Sequence, residues 1–281
     1  MDLNLRNKTV LITGGSKGIG LACAKEFAAE GCNLHLVSRT KEDLENAKKE
    51  IEAEHGVQIM IHVFDLSDSK NVNQLVKNCP KIDILVNNAG AIPAGDIQAV
   101  EEDRWRAAWD LKVFGYINMT RRYYPIMKDA GGGVIMNIIG LAGVRVDRNY
   151  IAGSAGNASI IGFTHAMGAH ALDEGMRVLG VCPGAVQTER ITTMLKTRAK
   201  DEKGDENRWQ DYFSGMPLNR PALVEEVADV AIIPDVDGEC FRNILRRNRL
   251  RGPLRRLGRL ARATAGLRGE EDLRGGICVC I

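Results

Sequence analysis

The sequence lacks the marks of a disulfide-built, metal-binding or membrane-spanning protein. Its seven cysteines, Cys23, Cys32, Cys79, Cys182, Cys240, Cys278 and Cys280, form neither a CxxC pair nor a regular framework, which favours free thiols in a reducing compartment. The five histidines, His35, His55, His62, His165 and His170, match no metal-ligand spacing and read as structural or surface residues. No apolar run approaches membrane-spanning length, and the opening MDLNLRNKTV has no long apolar core ahead of its first strand, so a soluble, cytoplasmic protein is expected. Charge of one sign is lacking too, since the net balance is only +2. Its distribution is uneven: residues 242–281 hold eleven Arg against three acids, a balance of +8 that leaves −6 for residues 1–241. The main body therefore carries no basic footprint for nucleic acid.

What is present is an alternation of short apolar strands and amphipathic helices, the pattern of a parallel sheet with crossover helices. The 281 residues suit one large α/β domain built on a parallel sheet. Strands are expected near 9–13, 33–37, 58–64, 82–86, 133–139 and 177–182, and helices near 18–30, 41–54, 69–78, 101–128, 150–174 and 224–232. Segment 188–220 is polar and charged with Trp209, Tyr212 and Phe213 embedded in it. It reads as a mobile lid over a substrate or as a surface excursion whose aromatics pack down.

Residues 10–20, VLITGGSKGIG, carry the most chemistry. Val10, Leu11 and Ile12 form a strand, and Ile19, Leu21, Ala22, Ala24, Phe27 and Ala28 give the following helix an apolar face. Between them Gly14 allows a tight turn, Gly18 admits a close approach of the backbone to a pyrophosphate, and Gly20 permits close helix–sheet packing. The helix start offers unpaired N–H groups and a positive dipole end to an anion. Two further turns follow apolar strands, Asn87-Asn88-Ala89-Gly90 after IDILV and Pro183-Gly184-Ala185-Val186-Gln187-Thr188 after RVLGVC.

With TGGSKGIG, NNAG, a tyrosine at 150 and PGAVQT in order, the chain resembles the short-chain dehydrogenase/reductase family over residues 5–232. The resemblance implies a Rossmann-like doubly wound parallel sheet in a single domain over residues 1–232, with Thr13, Gly14, Ser16, Lys17, Gly18, Ile19 and Gly20 along the phosphates of a nicotinamide dinucleotide, and Asp65 and Leu66 beside its adenine. It implies Asn87, Ala89 and Gly90 near the ribose, and Pro183, Gly184, Val186 and Thr188 near the nicotinamide. After the second strand, where an acid binds the ribose 2′-hydroxyl in NAD sites, the sequence has Ser38-Arg39-Thr40, and Lys17 sits in the glycine turn. Two cations without an acid suit the 2′-phosphate of NADP(H).

The implied catalytic group is a Ser–Tyr–Lys set with an Asn behind it, in which a cation lowers the tyrosine pKa for acid–base work. Here Tyr150 is followed four residues on by Ser154 in place of lysine, and the strand that normally ends in serines ends in Ile139-Gly140. The stretch from Gly140 to Tyr150 is about three residues shorter than usual, so Tyr150 is displaced. Lys112 falls where the structural asparagine usually lies and is expected to reach Tyr150 as a substitute cation, with Ser154 and Asn137 as polar support. The small run 153–158 suits contact between subunits of a homo-oligomer.

The resemblance stops after Val230. Residues 233–281 form an Arg-rich tail that reads as a frameshifted or disordered ending, or as a basic amphipathic segment; such a tail would leave the sheet without its last native strand. Three functions follow: an NADP(H)-dependent oxidoreductase acting on a small carbonyl or secondary alcohol, a catalytically impaired NADP-binding protein, or an interaction protein using the tail. No nucleic acid or membrane partner is expected of the main domain.

Overall fold

A computed structural model describes residues 3–232 and 278–280. The chain runs β1 (Thr9–Thr13), α1 (Gly18–Ala29), β2 (Asn33–Ser38), α2 (Lys41–Glu54), β3 (Ile59–Val63), α3 (Ser69–Asn78), β4 (Ile84–Asn87), α4 (Glu102–Trp109), α5 (Gly115–Asp129), β5 (Gly133–Ile138), α6 (Ile151–Gly168), β6 (Met176–Cys182), α7 (Glu189–Lys203), α8 (Val224–Ala231) and β7 (Cys278–Cys280). All pairings are parallel and the spatial order is β3-β2-β1-β4-β5-β6-β7. The order reverses between β1 and β4, so a crevice opens beyond their carboxyl ends, the usual ligand position in such sheets.

The strands are apolar on both faces because helices cover both. Along β1, Val10 and Ile12 pack with Phe27, Leu36, Ile51 and Val227 on the face carrying α1, α2 and α8. Leu11 points to the other face and packs with Leu75, Leu85, Tyr123 and Ile135 beneath α3 and α5. Each such large side chain contributes roughly 1.5–3 kcal/mol by leaving water. The expected mixture of strands and helices is present, with three differences.

The helix expected over 101–128 is broken by a π-helical turn at Asp110–Phe114 between α4 and α5. Such a turn shifts the side chains of one helical face and is common at functional sites; here it carries Lys112. The helix expected over 150–174 ends at Gly168, followed by a short 3-10 turn at Ala171–Glu174. Third, the place beside β6 is filled from the tail: Gly180, Val181 and Cys182 pair with Cys278, Val279 and Cys280, so the sheet does not end at β6 as expected. The other expectations for residues 233–277 lie outside the described residues.

Segment 188–220 folds into α7 and 3-10 turns at Glu206–Gly215 and Pro217–Asn219. Its aromatics pack down: Tyr212 donates to Glu202 at 2.7 Å beneath Arg198 and Lys203, and Trp209 meets Phe213 edge-on. The segment returns to the body through a two-pronged pair, Arg220 to Glu226 at 2.8 and 2.7 Å, with Glu226 buried. No described helix is long and apolar enough to cross a membrane. Among the described residues, no cluster of His, Cys, Asp or Glu could hold a metal.

Candidate active site

The glycine turn depends on the absence of side chains. Gly14 has φ +65°, and a Cβ there would lie 2.9 Å from Asn88 Nδ2. A Cβ at Gly20 would lie 2.1 Å from Gly14 O, so α1 can approach the turn this closely only with glycine at 20. The turn is latched to the segment after β4. Thr13 Oγ1 accepts from the N–H of Asn88 at 2.9 Å and of Ala89 at 3.0 Å and donates to Val86 O at 3.3 Å. Asn88 Nδ2 donates back to Thr13 O at 3.0 Å and Gly14 O at 3.2 Å. Sequence reasoning picked Asn87, Ala89 and Gly90 from this segment and missed Asn88, the residue that closes the latch.

No side chain caps α1, whose N-cap residue is Lys17, so its first-turn N–H groups keep their affinity for an anion. Thr188, the cap of α7, faces this end: its Cγ2 is 3.6 Å from where a Cβ at Gly18 would stand. Thr13, Gly14, Gly18, Gly20, Asn88 and Thr188 are thus brought to one place, and their cradle fits a dinucleotide pyrophosphate.

At the end of β2, Ser38 donates to Thr40 O at 3.3 Å and Arg39 Nη1 stands 3.9 Å from Asp65 Oδ2. Asp65 also accepts from Ser67 N and Oγ, which together with Arg39 hold its carboxyl below the ordinary carboxylate range despite burial. Lys17 forms an ion pair with Asp43 in the first turn of α2 at 3.0 Å. An acid is therefore present after all, four residues beyond Arg39, and it bonds the lysine.

Asn137 lies at the centre of the sheet. It accepts from Asn87 Nδ2 at 2.9 Å and donates to Thr164 Oγ1 at 2.9 Å, which donates onward to Ile160 O. With both asparagines fully buried, this chain ties β4, β5 and α6 together from inside and presents nothing to a substrate.

The expected catalytic set is rearranged. Tyr150 precedes α6 and folds its ring back over its own helix, so that a Cβ at Gly153 would lie 2.0 Å from Tyr150 Cε1. The ring occupies the space that a side chain at 153 would take. Counting the four-residue Tyr-to-Lys spacing from 153 instead of 150 reaches Asn157. That residue is buried with its carboxamide against Gly140: a Cβ at 140 would lie 3.0 Å from Asn157 Nδ2. Asn157 Oδ1 has no hydrogen-bond partner among the described residues. Ser154 is not available as a catalytic hydroxyl, because its Oγ accepts from Asp147 N at 3.0 Å and donates to Asp147 O at 3.3 Å.

Nor does Lys112 serve Tyr150. Its stem crosses Gly90, where a Cβ would lie 2.4 Å from Lys112 Cδ, and its Nζ donates to Ile138 O at 3.0 Å and Ile139 O at 2.8 Å. Burial, reinforced by Arg190, pulls its pKa down to about 7. The cation at Tyr150 is Arg190, from the first turn of α7: burial raises the Tyr150 pKa and Arg190 opposes that rise by its charge and hydrogen bond. Arg190 also donates to Gly90 O at 3.3 Å and to Ile92 O, fastening α7 to the segment after β4. Its only sequence signal was its place as the first cation after PGAVQT.

The run 153–158 is also divided. Gly153 and Gly156 pack internally, on Tyr150 and on Trp109 and Val113, whereas Ala155 and Ala158 face outward.

Comparison with known proteins agrees with this architecture. The short chain dehydrogenase family model matches residues 8–199. A 3-oxoacyl-[acyl-carrier-protein] reductase of Chlamydia trachomatis is 29% identical over 241 residues, covering 84% of this chain and 93% of the relative. An uncharacterized oxidoreductase of Thermotoga maritima is 30% identical, covering 85% and 94%. The crystal structure of L-sorbose reductase from Gluconobacter frateurii, complexed with NADPH and L-sorbose, superposes with a TM-score of 0.79 at 27% identity, covering 86% of this chain and 94% of that one. An NAD+-bound xylitol dehydrogenase shares the fold with a TM-score of 0.77 at 24% identity, covering 84% and 95%. The glycine turn latched to the segment after β4, in a parallel sheet of this order, places the chain in the short-chain dehydrogenase family, among its oxidoreductases.

Proposed function

We propose that this protein is an NADP(H)-dependent oxidoreductase acting on a small-molecule carbonyl or secondary alcohol. The observation that carries this reading is the turn of Gly14, Gly18 and Gly20, latched by Thr13 and Asn88 and continuing to Arg39 at the end of β2. Residues 13–20, with Asn88, Ala89 and Gly90, would hold the pyrophosphate and ribose, and Pro183, Gly184, Val186 and Thr188 would border the nicotinamide. The bound dinucleotide supplies or accepts the hydride. Arg39 favours NADP(H), because its planar fork matches a phosphate and its nearest acid, Asp65, is a 3.9 Å neighbour on an exposed surface. Lys17 is bonded to Asp43, which leaves Arg39 as the cation for a 2′-phosphate.

Titration of the protein with NADPH and NADH tests the assignment. NADPH is expected to bind more tightly, and R39A to remove about tenfold of that preference, or about 1.4 kcal/mol. Tighter NADH binding would overturn the choice of cofactor.

A second reading, nucleotide binding without turnover, is favoured by the bonding of Ser154 to Asp147 and the enclosure of Tyr150 over Gly153. Oxidation of NADPH against a panel of ketones and aldehydes separates the two. We also propose a cytoplasmic homo-oligomer. The outward Ala155, Ala158 and Gly162 along α6 support a close helix contact, and the buried thiols of Cys23 and Cys79, which form no disulfide among the described residues, accord with a reducing compartment.

A further inference from the structure

We propose that the Nζ of Lys112, rather than the Tyr150 hydroxyl, is the group that exchanges a proton with the substrate oxygen. The proposal rests on the oxidoreductase reading above and assigns the acid–base step within it.

The geometry begins with the backbone. The π-helical turn Asp110–Phe114 aims Lys112 out of the α4–α5 line and across Gly90, a crossing that any side chain at 90 would block. This brings the ammonium to the carboxyl end of β5, beside the crevice where the strand order reverses. There it meets two fixed acceptors, Ile138 O and Ile139 O, which use two of its three N–H donors. Ile138 O also accepts from Tyr116 Oη at 2.7 Å, so this carbonyl is locked in direction. One N–H of Lys112 is left for a substrate.

The alternative groups are held differently, and the Tyr150 oxygen meets the donor Arg190. Tyr150 lies on Gly153 and faces Arg190, and Ser154 is closed on Asp147. Asn157, against Gly140, can accept or donate a hydrogen bond but has no titrating proton to give.

The electrostatics suit the task. The charged and titratable groups facing Lys112 are Arg190 from α7, which disfavours its charge, and Cys182 from β6, which favours it; the Tyr116 ring of α5 lies 5.2 Å from Nζ. Burial dominates, and the ammonium titrates at about 7, where an acid–base group works in both directions near neutrality. In reduction, an N–H bond of the ammonium breaks as the O–H bond forms on the carbonyl oxygen, and the pair stays on nitrogen as a neutral amine. The hydride reaching the carbonyl carbon comes from the reduced nicotinamide, and the amine regains its proton from water. Oxidation runs the same exchange in reverse.

The test uses the full chain labelled with 13Cε-lysine, with the Lys112 signal assigned by its loss in K112R. Expected is a Lys112 midpoint near 7, well below the ordinary lysine value; a Lys112 midpoint within about one unit of that ordinary value overturns the proposal. K112R keeps a donor for the Ile138 and Ile139 carbonyls but cannot deprotonate. It is expected to fold, to bind NADPH as the parent does, and to lose on the order of 100-fold or more in turnover of any carbonyl the parent reduces. Rescue of turnover by arginine would reduce Lys112 to a structural prop, and loss of turnover in Y150F with K112R still active would return the role to tyrosine. Failure of the parent to bind NADPH would instead overturn the reading on which the proposal rests.

Discussion

Thr13→Val isolates the latch between the glycine turn and the segment after β4. The two side chains are nearly isosteric, so the change deletes one hydroxyl from a site that is 1% exposed and leaves the packing of β1 otherwise alone. Three hydrogen bonds disappear, those from Asn88 N and Ala89 N and that to Val86 O. At about 1 kcal/mol each the loss is about 3 kcal/mol, because the two N–H groups are stranded away from water. For a domain of this size that corresponds to a fall in Tm of roughly 6–12 °C. Asn88, still held by its own amide bonds to Thr13 O and Gly14 O, would keep the turn near its place but less rigidly. NADPH is therefore expected to bind about tenfold more weakly, while Thr13→Ser, which restores the oxygen, recovers both properties. Thermal melts and titration of the three proteins measure this. A valine variant melting within about 2 °C of the parent, with unchanged NADPH affinity, would refute the claim that this hydroxyl couples the two segments.

Two further expectations follow from titrating groups. His35 Nδ1 and His62 Nε2 stand 2.8 Å apart in stacked rings, and burial lowers both pKa values, that of His62 to about 4. The folded state then binds fewer protons than the unfolded chain between about 6.5 and 4, so stability is full above that window and drains as pH falls through it; H62Q should flatten this slope in pH-dependent urea melts. Arg190→Met removes the charge that depresses Lys112 and the bonds to Gly90 and Ile92 carbonyls, so the Lys112 midpoint should move up and α7 should become more sensitive to limited proteolysis; an unmoved midpoint would show that burial alone sets it.

Much of the fold was legible because its determinants are local. Strands such as Ile84–Asn87 are buried on both faces and read as continuous apolar runs, and the glycine turn announces itself by residues that no other side chain could replace. The site was less legible, for reasons of distance and register. Asn88 acts through residues 75 positions away in the chain, and Arg190 reaches carbonyls about 100 positions away. The π-helical turn leaves the apolar spacing around Lys112 looking like ordinary helix, so the direction of that lysine could not be read from pattern. The resting place of the Tyr150 ring could not be read from spacing either, and only its packing on Gly153 shows it.

That packing constrains the history open to this chain. Since a Cβ at 153 would fall within 2.0 Å of the Tyr150 ring, positions 150 and 153 cannot both carry large side chains with this backbone. A tyrosine gained at 153 is harmful while Tyr150 remains, and Tyr150 lost first leaves a hole over Gly153. Each single step carries a structural cost though the pair of steps need not, which is the condition for sign epistasis between positions 150 and 153.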